Sequence, residues 1–200
     1  LRSEYEKKTD YGERFEGGTY LHFAALLGDV DATKMLIEEN VDVNAVDEGN
    51  QTALHWAARE GHVDVAKVLI ENGADVNAVE NINCTPLHCA AMKGHVDVAK
   101  VLIQNGADVN AVNVRKWTPL HSGAFRGHVD VVKLLIQNGA DVNAPVMKHW
   151  TPLHYAGRYG HVDVVKMLIQ NGANVNAVEK DKWTPLHHAC YNGHVDVVKV

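Results

Sequence analysis

The 200-residue sequence predicts an all-α protein built as a linear array of stacked helix pairs, and three observations carry that prediction. Thr19, Thr52, Thr85, Thr118, Thr151 and Thr184 each open a near-copy of one phrase, at a constant spacing of 33 residues. Gly-His-Val-Asp-Val recurs on the same beat from Gly61, Gly94, Gly127, Gly160 and Gly193, with no insertion between copies. The segments that follow each of these glycines place apolar residues at helical spacing. A period of this length marks one supersecondary unit that cannot bury its apolar face alone and must stack on its neighbours.

The unit at residues 80–112 shows why each element forms. Thr85-Pro86-Leu87-His88 reads as a helix start: Thr accepts a backbone N–H as N-cap, and Pro at the first helical position gives up no needed donor. Gly94 ends that helix after about two turns, because glycine tolerates the left-handed backbone of a C-terminal cap. Val96, Val98, Ala99, Val101, Leu102 and Ile103 then form the apolar stripe of a second, longer helix. Asp97 lies at its positive end and Lys100 follows three residues later. Asn105-Gly106 stops it, and residues 107–111 lead through an extended connection into the next unit.

Thr-Pro-Leu-His, the Gly-His junction and Gly-Ala-Asp-Val-Asn-Ala together resemble the ankyrin-repeat signature, over about residues 14–200 and in six concordant copies. The resemblance implies a right-handed solenoid of antiparallel helix pairs with hairpin-like loops projecting at roughly a right angle. It gives units at 14–46, 47–79, 80–112, 113–145, 146–178 and 179–200, preceded by residues 1–13 as a tail or capping segment. Unit one departs from the pattern, with Tyr20 where Pro is usual and Asn40 in place of Gly, which suits a capping repeat. Lys199-Val200 falls inside the sixth unit's second helix, so the chain is expected to be a piece of a longer array. Resemblance to targets of asparaginyl hydroxylases also makes Asn77, Asn110, Asn143 and Asn176 candidate modification positions.

Composition narrows the function classes. With 46% hydrophobic and 22% charged residues, the chain suits a helical protein with buried surface rather than a disordered one. Asp, Lys or Asn breaks every apolar stretch and Leu1-Arg2-Ser3-Glu4 lacks a signal-peptide profile, so no membrane insertion and an intracellular location, cytoplasmic or nuclear, are expected. Cys84, Cys89 and Cys190 are odd in number and off the repeat period, which reads as reduced thiols.

Chemistry is sparse. Eleven of the thirteen histidines fall on two framework positions, and only His149 and His188 remain. Cys84, His88 and Cys89 form the one local cluster resembling metal ligands, but without a closed four-ligand spacing. No phosphate-cradling loop, nucleophile elbow or zinc-protease motif occurs. The expectation is no catalytic residue, no metal, no cofactor and no enzymatic activity.

Function is therefore sought where the units differ. Two sets vary: the loops at 47–51, 80–84, 113–117, 146–150 and 179–183, and a pair of residues late in each short helix, Arg59 and Glu60, Met92 and Lys93, Phe125 and Arg126, Arg158 and Tyr159, Tyr191 and Asn192. In the proteins this chain resembles, both sets line the concave recognition groove. In units two and three Asp47, Glu48, Glu60 and Glu80 oppose Arg59 and Lys93, a net of minus two. In units four to six Arg115, Lys116, Arg126, Lys148, Arg158, Lys180 and Lys182 oppose Glu179 and Asp181, a net of plus five in a chain carrying −6. Trp117, Phe125, Trp150, Tyr155, Tyr159, Trp183 and Tyr191 add an aromatic concentration in the same half, and the tryptophans recur at the 33-residue spacing as a ladder of rings.

Lys116, His149 and Lys182 stand where the family usually has Gly, which puts the tight turn in question at those tips and makes the side chains candidates for contact. The candidate partner-binding set is Arg115, Lys116, Trp117, Phe125, Arg126, Lys148, His149, Trp150, Arg158, Tyr159, Lys180, Lys182, Trp183 and Tyr191. The leading expectation is a non-catalytic, monomeric scaffold gripping an acidic protein or peptide. Recognition of a phosphorylated or nucleotide-like ligand by the same basic, aromatic half is the alternative class, with nucleic acid a poor fit.

Overall fold

The computed structural model describes residues 19–200. Residues 1–13, read from the sequence as a tail or capping segment, lie outside the described residues. Twelve α-helices follow in six pairs: α1 (Tyr20–Leu27) and α2 (Val30–Glu38), α3 (Ala53–Glu60) and α4 (Val63–Glu71), α5 (Pro86–Lys93) and α6 (Val96–Gln104). The array continues with α7 (Pro119–Arg126) and α8 (Val129–Gln137), α9 (Pro152–Tyr159) and α10 (Val162–Gln170), then α11 (Pro185–Tyr191) and α12 (Val195–Val198). Among the described residues the only extended pairing is an isolated bridge between Val46 and Thr52, so the class is all-α.

The first helix of each pair packs on the first helix of the next, and the second helices form a parallel row behind them. Alanines such as Ala57, Ala58, Ala90, Ala91 and Ala124 let the front row approach closely, while Leu54, Leu87 and Leu120 fill the space to the back row. From behind, Val65, Ala66 and Leu69, and their equivalents in α6, α8 and α10, complete one continuous apolar seam.

Three recurrent polar ties hold the units in register. In the first, Thr85 N–H donates to His88 Nδ1 at 3.2 Å, while His88 N–H donates to Thr85 Oγ1 at 3.4 Å. Because Nδ1 accepts, the ring proton sits on Nε2, which donates to the carbonyl of Trp117 in the next loop at 2.9 Å. His22, His55 and His154 reach Gln51, Cys84 and Trp183 in the same way, at 2.8, 3.1 and 3.3 Å. In the second tie, His95 Nε2 donates back to the Arg59 carbonyl at 3.0 Å, and the ring lies against Gly61. Gly61 is held at φ +85°, and a Cβ there would fall 2.6 Å from His95 Nδ1, so no other residue fits the site without displacement. In the third, Asn77 Nδ2 donates to the Gly106 carbonyl at 3.1 Å and its Oδ1 accepts from Asp108 N–H at 2.8 Å.

Candidate functional site

Each connecting loop closes as a tight hairpin before its threonine. Asn113 N–H donates to the Trp117 carbonyl at 3.0 Å and Lys116 N–H to the Asn113 carbonyl at 2.8 Å. Asn113 Oδ1 then accepts from Arg115 N–H (2.9 Å) and Trp117 N–H (3.1 Å), so one buried side chain fastens the whole turn. Asp47 and Glu179 do the same with carboxylates, and Glu80 fastens Cys84 N–H. Burial alone would raise the Glu179 pKa, but the N–H bonds from Asp181 and Trp183, with His188 and His154 nearby, leave it below the ordinary value.

The tight turn is retained at Lys116, His149 and Lys182, contrary to what the loss of glycine suggests. All three adopt the left-handed backbone, with φ between 64° and 67°, as Asn50 and Asn83 do at the same register. At Lys116 and Lys182 the side-chain acceptor and the two cross-turn bonds outweigh a left-handed cost of roughly 1–2 kcal/mol per residue, and at His149 the two cross-turn bonds remain.

The loop at 146–150 is built differently. Val146 occupies the fastening position and is buried, but offers no acceptor. Met147–His149 forms a short 3₁₀ turn in which Lys148 also takes a positive φ of 64°. Neighbouring loops are joined at the tips by Asn81 N–H to Gly49, Val114 N–H to Ile82 and Lys180 N–H to Lys148. Among the described residues no equivalent bond joins Met147 to Arg115. Behind this loop, His121 Nε2 is buried without a hydrogen-bond partner. Burial pushes the His121 pKa down to about 3, and the nearby carbonyls of Ala144 and Trp150 offset that only in part.

All fourteen sequence-derived candidates lie along the loops and short helices. Arg115, Lys116, Arg126, Lys148, His149, Arg158, Tyr159, Lys180, Lys182 and Tyr191 are exposed, while Trp117, Phe125, Trp150 and Trp183 are half-buried. The rings do not form a ladder of stacked tryptophans. Tyr155 sits between Trp117 (4.8 Å) and Trp150 (5.0 Å), and His188 between Trp150 (4.4 Å) and Trp183 (5.1 Å). Phe125 extends the cluster to Tyr159 (4.7 Å) and Trp183 to Tyr191 (5.3 Å). Arg126 lies over Phe125 and Arg158 over Trp150. Within the described residues the three ion pairs, Lys67–Asp64, Lys166–Asp163 and Lys199–Asp196, all sit on the back-row helices, so no groove cation has a carboxylate partner.

A depression on this face lies further toward the N-terminus, across units two to four. It has a volume of about 470 Å³ and is lined by Arg59, Glu80, Ile82, Cys84, Cys89, Met92, Lys93, Trp117, Ser122, Phe125 and Arg126, among others. Its origin is a single register, the residue after the capping histidine. That position holds Trp56, Tyr155 and His188 in units two, five and six, but Cys89 and Ser122 in units three and four. Two small side chains leave the space that a ring fills elsewhere. Arg59, Met92 and Lys93 belong to the varying pairs seen in the sequence but not to the candidate set. Cys89 and Ser122 could have been found from the size drop at their register.

Burial holds the Cys84 thiol above its usual pKa and pushes that of Cys89 up to about 11, so both thiols are protonated at neutral pH. Among the described residues no three His, Cys, Asp or Glu side chains group closely enough to hold a metal ion. No helix among them is long and apolar enough to cross a membrane.

The family model for ankyrin repeats in many copies matches residues 21–70, 54–103, 87–136, 124–169 and 153–200. The chain belongs to the ankyrin-repeat family. No curated protein matches it. Membership makes the array a protein–protein interaction module, and the ankyrin framework accounts for the recurrent Thr, His, Gly and Asn ties. Much of what differs between its units lies in the loops and short helices described above.

Proposed function

We propose that this ankyrin array binds an acidic segment of a partner protein in its concave groove, with the loops and short helices of units four to six as the principal grip. The observation that carries this reading is a row of exposed cations, Arg115, Lys116, Arg126, Lys148, Arg158, Lys180 and Lys182, none of them paired with a carboxylate among the described residues, beside an interlocked aromatic cluster over which Arg126 and Arg158 lie. A solvated Lys or Arg by itself says little. An unpaired row beside pre-packed rings differs because the rings lose little entropy on binding, and aromatic and Arg side chains dominate interface energetics.

A nucleotide-like ligand would need a ring face free for stacking. Trp150 has Tyr155, His188 and Arg158 against it, and Trp117 has Phe125 and Tyr155, which favours a peptide lying across ring edges and cations. The triple substitution Arg126→Glu, Lys148→Glu and Arg158→Glu tests the placement. Capture of the partner from cell extract should fall by about tenfold or more at low salt, and the difference should shrink as salt rises. Undiminished capture by the triple variant at low salt would show that the partner sits elsewhere.

A further inference from the structure

The depression across units two to four has an apolar floor and a cationic rim, and neither follows from the repeat framework. Ile82, Met92, Trp117 and Phe125 supply the apolar contacts. Arg59, Lys93, Arg115 and Arg126 ring it against a single acid, Glu80, whose Oε1 is already engaged by the N–H of Cys84. Two of the cations are held in place before any ligand arrives. Arg59 lies 4.6 Å from the Trp56 ring centroid, and Arg126 lies over Phe125 while its Nε donates to Met92 Sδ at 3.3 Å. A volume of about 470 Å³ falls in the ~300–1,000 Å³ range of sites that enclose a whole ligand group.

We infer that this depression is an anchor pocket for the partner: it takes one large apolar side chain of an extended acidic segment, while Arg59 and Arg126 pair with carboxylates flanking that side chain. The occupant follows from complementarity. An apolar group alone would leave two preorganised guanidinium groups unused, and a carboxylate alone would leave the floor uncovered. The inference rests on the proposed acidic partner and places its anchor at the N-terminal edge of the aromatic half, on the register where Cys89 and Ser122 leave space. Trp56, Tyr155 and His188 close the same space in other units, so a segment running along the groove finds room for a buried side chain here.

The same register supplies a test that preserves the fold, because Ser122→Tyr copies the residue that unit five already carries at position 155. A fluorescein-labelled Glu-Asp-Phe-Glu-Asp peptide and its Phe-to-Ser counterpart are titrated against the full chain, Ser122→Tyr, Arg59→Glu and the double variant Lys148→Glu/Arg158→Glu, with melting curves recorded for each. The expected result is binding of the Phe peptide that weakens about tenfold on loss of its Phe, on Ser122→Tyr and on Arg59→Glu. The double variant should weaken both peptides alike and keep the preference for the Phe peptide, since those cations grip the acidic segment outside the pocket. Ser122→Tyr that melts like the parent and binds the Phe peptide equally well overturns the anchor pocket. If the double variant alone abolishes binding, the acidic-partner reading stands and the pocket falls. Absence of binding by either peptide to the parent chain overturns both. Adenosine monophosphate that binds the parent but not Ser122→Tyr, with no binding of the Phe peptide, makes the depression a small-ligand site and overturns the inference.

Discussion

The loops at 113–117 and 146–150 occupy equivalent places in adjacent repeats and begin and end the same way, yet one is fastened and the other is not. Both close with a bond from the first residue's N–H to the tryptophan carbonyl, at 3.0 and 2.8 Å. In the first, Asn113 spends its side-chain oxygen on two tip amides, the capping His88 donates to Trp117, and only Lys116 takes a positive φ. In the second, Val146 is buried instead, His121 Nε2 is left without a partner, and both Lys148 and His149 are left-handed. The loop with the side-chain acceptor bonds the preceding tip and receives its capping histidine, and the loop without it does neither, although its Lys148 carbonyl still accepts from the next tip. The apolar alternative buries a side chain but leaves polar groups uncompensated.

The comparison can be broken most severely by making the good loop like the poor one. Asn113→Val removes the acceptor for Arg115 and Trp117 N–H and should cost about 1–3 kcal/mol, read as a lower denaturant midpoint. An unchanged midpoint would mean the cross-turn backbone bonds alone hold the loop.

Acid gives the next largest effect. The folded-state pKa of His121 is about 3, below the unfolded value of 6.5, so the neutral ring's stabilisation is fully present above pH 6.5 and is lost as pH falls toward 3. At pH 5 this single buried group should cost roughly 2 kcal/mol relative to pH 7. His154, pushed down to about 4 by burial, adds in the same direction and window. Chemical denaturation of the parent and His121→Asn at pH 7 and pH 5 checks the assignment. The variant should lose distinctly less stability between the two pH values, and parallel losses would place the acid sensitivity elsewhere.

The smallest effect is a reversal of sign at one register. Lys148 is left-handed and its equivalent Arg115 is not. Lys148→Gly should therefore stabilise by about 1 kcal/mol through relief of strain, whereas Arg115→Gly should destabilise by a few tenths to about 1 kcal/mol through added freedom of the unfolded chain. Thermal melts of the two variants suffice, and shifts of the same sign would show that backbone strain is not what separates the loops.

Much of the framework was legible in the sequence because each repeat position answers a local requirement. Thr85, Pro86 and His88 announce a capped helix start, Gly94 a left-handed stop, and the spacing of Val98, Ala99 and Leu102 a buried face. The outward-facing cations were legible for the same reason. What the sequence hid depends on neighbours in adjoining repeats. His121 is left without its carbonyl beside a loop that starts on a buried Val146, and a cavity opens beside Trp117 where Cys89 and Ser122, in two different repeats, are small. The tryptophans were legible as a set but not as an interleaved cluster, since Tyr155 and His188 come from a register that looks variable rather than aromatic.

The glycine–histidine contact has a consequence for how such a chain can change length. Gly28, Gly61, Gly94, Gly127 and Gly160 each accept a ring from the following repeat, so an inserted residue between a helix-cap threonine and the junction histidine after its short helix would misalign the cap and junction contacts of that repeat at once. The loop tips are the sites that carry the least of this coupling, and the 146–150 loop lacks both the tie to the preceding tip and a side-chain acceptor to fasten its turn. Short insertions should therefore be tolerated best there, while growth elsewhere favours whole 33-residue units: duplication of a repeat copies every contact intact, and a frame shift within one destroys them in pairs.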